Sequence, residues 1–191
     1  LGTAAIMMGF QIGLPSLFNP DNGTSGVGRW GLMDQGSGNF QGLLPAEPNA
    51  WEKVFLGWVT PQVAEPGQSY SVAAARVDDT TPTLYKIPIS ASEYFLVENR
   101  SQDINGDGVA IGFTKDGAKF EYKRQDGSEF IVGEALGVVT EVDEYDFGLP
   151  GSGILIWHID ESVILENLDQ NRINANRDHR GVDLEEADGA Q

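Results

Sequence analysis

Apolar and polar positions follow two different rhythms in the two parts of this chain. Residues 3–12, TAAIMMGFQI, are apolar almost all round. A helix without a polar face is a buried one, and Gly13 and Pro15 supply the signals that end it. In residues 45–58, PAEPNAWEKVFLGW, Trp51, Val54, Phe55 and Trp58 recur at helical spacing. Asn49 is placed to cap this second helix and Pro61 bounds it. Between the two lie turn-rich stretches, NPDNGTSGVGRWG and LMDQGSGNFQG. From Tyr70 the period shortens. SYSVAAARV, TLYKIPI and YFLVENR are short β-favouring runs separated by turns. KDGAKFEYKRQDGSEFIV alternates and carries the pairs Asp116-Gly117 and Asp126-Gly127, both hairpin signals. VVTEVDEYD and the apolar strand ILIWHID follow, then a short helix in ESVILENL, a polar loop in NRINANRDHRG, and a closing strand or turn in VDLEEADG.

The pattern predicts an α+β fold. An α-rich segment, 1–62, precedes a β-rich, sandwich-like region, 63–191, joined through PQVAEPGQS. An Asp/Gly-rich insertion falls around 101–145. No internal repeat is visible. The start, LGTAAIMMGF, has no initiator Met and no charged leader, so the chain reads as a fragment of a longer protein.

Composition narrows the classes of function. Of 191 residues, 40% are hydrophobic and 21% charged, which suits a packed domain. Twelve basic residues against 29 acidic ones give a net charge of −17, the wrong sign for a nucleic-acid binder. No apolar run is long enough to span a bilayer. The absence of cysteine excludes disulfides, thiolate zinc sites and thiol catalysis. An acidic chain has carboxylate and carbonyl oxygens to offer, and calcium is the cation that takes them.

The sharpest chemical signal is DINGDG, residues 103–108. Asp103, Asn105 and Asp107 place side-chain oxygens at alternate positions, Gly108 permits the sharp turn, and Val109 follows with a backbone carbonyl. This is the order of the first seven positions of an EF-hand loop. The twelfth would be Thr114, where that loop has Glu, so a remote carboxylate such as Asp116 or Glu121 is needed. Weaker calcium candidates are Asn19, Asp21 and Asn22 in NPDNG, and Asp183, Glu185 and Asp188 in DLEEADG, the latter with Asp160 or Glu161. Only two histidines exist. His158 reads as a structural residue held by a carboxylate, and His179 as solvated.

Six stretches taken in order carry a resemblance: GLPSLFNPD (13–21), GVGRWGLMDQGSG (26–38), AWEKVFLGWVTP (50–61), EYFLVENR (93–100), GLPGSGILIWHIDE (148–161) and HRGVDLEEADG (179–189). Together they resemble the immune inhibitor A-type family of secreted bacterial zinc metalloproteases, a metzincin-like group. The resemblance implies the C-terminal part of a metzincin-like domain, with a zinc helix, a Met turn and a second helix. The family's zinc helix has the form H-E-x-x-H-x-x-G. Two histidines four apart share one helix face, and the glutamate activates the metal-bound water. Anchored on Gly13, those positions are Ile6, Met7 and Phe10; the further acidic ligand falls at Ser16, and the Met of the turn at Met33. Ile and Phe cannot ligate zinc, and Met7 cannot act as a base.

The resemblance therefore implies a scaffold without its reaction: no catalytic residues, no zinc, and a former metal helix turned into a core helix. The expected function is a metalloprotease-like module of a secreted or cell-surface protein. It would serve a binding or structural role through a protein partner or self-association, stabilised by calcium, with neither nucleic acid nor membrane insertion. Two other readings stand beside it: an active zinc metalloendopeptidase whose ligands are not among these residues, and a calcium-dependent adhesive or filament-forming module.

Overall fold

A computed structural model of the chain describes residues 1–74, 81–123 and 138–185. The fold is α+β. Helix α1 (Gly2–Gln11) opens it; a 3-10 turn follows at Gly28–Trp30, and then 3-10 turns within Gln35–Gly42 that are broken by a kink where Phe40 and Gln41 take positive φ. Helix α2 spans Ala50–Phe55. The strands are β1 (Gln62–Val63), β2 (Leu84–Pro88), β3 (Glu93–Arg100), β4 (Val109–Lys115), β5 (Ala118–Lys123), β6 (Val138–Val142), β7 (Gly153–Asp160) and β8 (Val182–Leu184). Helix α3 (Glu161–Asn167) continues directly from β7.

Two sheets form. One has the order β1-β2-β3-β7-β8, antiparallel except for the parallel β1–β2 pair; the other has the order β5-β4-β6. Strands β3 and β7 pair along their whole length, from Glu93 opposite Asp160 to Arg100 opposite Gly153. The three-stranded sheet lies in the chain between these two neighbours. Its β4–β5 hairpin turns at Asp116 and Gly117, both at positive φ, as the Asp-Gly pair predicts. Asp126-Gly127 lies outside the described residues.

Alternation decides the inner face of the larger sheet. Tyr94 and Leu96 of β3, and Leu155, Trp157 and Ile159 of β7, point into a core completed by Leu14, Leu17, Met33, Trp51, Ile164 and Ile173. This core joins the first 62 residues to the β-rich part. The smaller sheet buries Ala110 and Ile111 against Leu44 and Phe147, with Phe40, Val139 and Val142 around them. The expected sandwich is therefore not what forms among the described residues. Each sheet packs on irregular chain and helix, because residues 1–62 already cover the inner face of the larger sheet.

Two expectations about the helices change. Helix α2 ends at Phe55, short of the Trp58 to which the helical spacing runs, although its start is as predicted: Asn49 accepts the N–H of Glu52 while the Glu52 side chain accepts the N–H of Asn49, a complete capping box. Helix α1 ends as predicted. Gly13, at φ 100°, allows the N–H of Leu14 to reach the carbonyl of Gly9 and that of Gly13 to reach Phe10. The helix is not buried, however. Only Gly2 and Gly9 are fully enclosed, while Met7 and Met8 are 57% and 66% exposed. Uniform apolarity gave no face to distinguish, and tertiary packing chose the side carrying Gly9.

Candidate functional site

Three places could carry function: the region around α1, the acidic loop before β4, and a buried ion network on β3.

Met33 is fully buried and its sulfur lies under α1. A Cβ placed on Gly9 would stand 2.4 Å from Met33 Sδ, so glycine is what permits the contact. Ile6 and Phe10 are half-buried and pack against the main core, and Met7 faces outward. Asp34, next to Met33, fixes the turn: one carboxylate oxygen accepts the Ser25 hydroxyl and the N–H groups of Gly26, Val27 and Gly28. Ser16 is fully buried, its N–H and hydroxyl bonded to Asn171. The structure thus brings Ile6, Phe10 and Met33 to one region. Ser16 is instead part of the seam with the loop after α3.

Four of the weaker candidates, Asn19, Asp21, Asn22 and Asp183, have partners within the fold. Asn19 donates to the carbonyl of Ala175, Asp21 is ion-paired with Arg172 at 2.5 Å, and Asn22 accepts both the N–H and hydroxyl of Thr24. Asp183 meets Arg180 at 2.6 Å, and Glu185 is exposed. Asp188 lies outside the described residues. Asp160, proposed as their partner, caps α3 through the N–H groups of Ser162 and Val163, and Glu161 accepts the Tyr94 hydroxyl. Burial pushes Asp160 up, but the Ser162 hydroxyl, His179 and the capping N–H groups outweigh it and hold it at about 2. His179, expected to be merely solvated, has its Nε2 2.9 Å from Asp160, while its side chain remains 61% exposed. His158 points away from the core, beside Phe95 and 3.5 Å from Glu93.

In the 103–109 loop, Asp103 accepts the N–H groups of Gly106 and Gly108 on its two oxygens. Asn105 accepts from the N–H of Asp107, and Asp107 from that of Val109. The Asn105 amide nitrogen reaches 3.3 Å to Asp107 and 3.1 Å to Asp143. Asp143, directly after β6, is therefore the distant residue that meets the loop. Asp116 sits at the far tip of the hairpin, about 20 Å along β4 at strand rise, and Glu121 stands opposite Gly112 in mid-strand. Among the described residues no three His, Cys, Asp or Glu side chains are gathered closely enough to hold a metal as they stand.

The ion network has no counterpart in the sequence reading. On β3 the inward row is Tyr94, Leu96, Glu98 and Arg100. Arg100, 1% exposed, makes a bidentate pair with Asp146 at 2.5 Å for both bonds and lies 3.4 Å from Glu98. Glu98 accepts the indole N–H of Trp157, and Lys53 of α2 lies 3.6 Å from both Glu98 and Glu47. Burial pushes the guanidinium down, and the Glu98 and Asp146 carboxylates more than restore it. Next to this network is Glu52, fully buried, with Oε1 lacking a hydrogen-bond partner. Burial raises its carboxyl to about 7, against the pull of the backbone N–H groups of Asn49 and Met33 and the charges of Arg100 and Lys53. Such displaced groups accompany function in many proteins. Here Glu52 is enclosed by core residues and its second oxygen caps α2, so it acts as a structural group.

Among the described residues no helix is long and apolar enough to cross a membrane. Comparison of the chain with models of known families, with curated proteins and with solved structures finds no match.

Proposed function

We propose that this chain is a non-catalytic, metalloprotease-like module of a secreted or cell-surface protein, used for binding or structure. The observation that carries the reading is the composition of α1 above Met33. Positions 6, 7 and 10, where the resemblance implies two histidines and a glutamate, hold Ile, Met and Phe. Ile6 and Phe10 are packed on the core, and Ser16 is committed to Asn171. No imidazole or carboxylate stands at any of these places, so neither a zinc shell nor a water-activating base can be built from them. A helix that packs Ile and Phe against the core instead of desolvated ligands adds apolar contact and avoids the cost of enclosing charge. That supports a scaffold kept for its shape.

The test is metal analysis together with proteolysis. Protein purified in the presence of zinc and dialysed is expected to hold no stoichiometric zinc and to leave casein intact. One zinc per chain, with casein cleavage that stops on chelation, would overturn the reading.

A further inference from the structure

We propose that the loop 103–109 and the pair Asp143–Glu144 together form a calcium site, in which carboxylates from two separate parts of the chain close on one ion. Its first support is convergence. The Asn105 amide nitrogen bridges an oxygen of Asp107 in the loop and an oxygen of Asp143 beyond β6, at 3.3 and 3.1 Å. Two anionic oxygens from residues 36 positions apart thus face one small donor, in the gap a cation would fill.

The second support is independent of the loop's own hydrogen bonds. Glu144 is only 6% exposed, yet its Oε2 is buried without a hydrogen-bond partner. It lines a cavity of about 190 Å³ with Ile104, Asn105 and Asp143. A buried carboxylate oxygen without a partner is costly, and a divalent ion among oxygen ligands removes that cost.

The third support is the missing counter-charge. Among the described residues Asp103, Asp107, Asp143 and Glu144 have no lysine or arginine partner; Arg100, the nearby buried cation, is taken by Asp146 and Glu98. The available donors are all oxygens: four carboxylates, the Asn105 side-chain oxygen and the Val109 carbonyl. That is the ligand chemistry of calcium; magnesium keeps several of its waters and binds through one or two carboxylates, so it suits so many protein ligands less well. The Asn105 amide nitrogen now joins Asp107 to Asp143, and backbone N–H groups bond Asp103 and Asp107. An ion displaces that amide nitrogen and draws the same oxygens onto one centre.

Calorimetric titration of the chelator-stripped chain with calcium chloride tests this, alongside thermal unfolding with and without calcium. One ion is expected per chain, with Kd about 10⁻⁴–10⁻³ M or tighter, and a Tm that rises with calcium. The double variant Asp143→Asn/Glu144→Gln should bind at least ~10-fold more weakly, with a metal-free Tm equal to or above the parent's. Asn105→Asp, which adds a carboxylate to the loop, should tighten binding. Absence of saturable heat and of any Tm shift in the parent chain overturns the proposal. So does unchanged affinity in the double variant. If the double variant does not fold, Asn105→Asp decides, and binding no tighter than the parent's overturns it.

Discussion

Replacing Glu52 by glutamine isolates the cost of one buried charge. The side chain is wholly enclosed, with one oxygen 2.5 Å from the N–H of Asn49 and the other unpaired. Glutamine keeps the shape and the oxygen that Asn49 needs. Its amide nitrogen takes the place of an atom that already lacks a partner, an offset that does not vary with pH. What changes is titration. The folded carboxyl holds its proton up to about 7, the unfolded one only to 4.5. Between those values the folded state binds more protons, so stability falls as pH rises. The contribution is fully present below 4.5 and is lost as pH passes about 7. At about 1.4 kcal/mol per pH unit, the displacement amounts to about 3 kcal/mol. Urea unfolding followed by tryptophan fluorescence, with Trp51 adjacent and Trp157 in the core, should therefore give two curves that diverge. Relative to the parent, Glu52→Gln should gain about 3 kcal/mol on going from acid to mildly alkaline solution. All other titrating groups are common to both proteins and cancel in the difference. A difference that stays flat through this range would refute the assignment of a neutral, buried Glu52.

Two further perturbations probe the packing. Arg100→Met removes the cation that faces Asp146 and Glu98 and leaves both carboxylates enclosed; the expected loss is about 3–5 kcal/mol, read by urea unfolding, and a loss below about 1 kcal/mol would show that solvent reaches the network. Gly9→Ala drives a methyl against the buried sulfur of Met33; it should lower stability by about 1–3 kcal/mol despite the better helix propensity, and adding Met33→Ala should recover part of that packing strain in a double-mutant cycle.

The positions of most elements were legible in the sequence because each rests on local physics. Asn49 marks a helix start since its side chain can bond an N–H three residues on. Gly13 marks a helix end since it adopts positive φ without strain. Asp116-Gly117 marks a hairpin for the same reason. The ion network was also half-written there: in EYFLVENR the parity that buries Tyr94 and Leu96 carries Glu98 and Arg100 inward as well. What hid it was the partner, Asp146, 46 residues away.

The sequence by itself thus determined the α+β class, the caps and turns, the β4–β5 hairpin and the absence of imidazole and carboxylate from positions 6, 7 and 10. Only the tertiary structure decided which side of α1 is covered, which core each sheet joins, and which distant carboxylates meet the 103–109 loop. The reason is one of range. Dihedral preference and side-chain periodicity act within a few residues and are carried by them. Burial and charge pairing depend on which segments share a space, as Asp143 and Glu144 share one with Asn105, and no local pattern encodes that meeting.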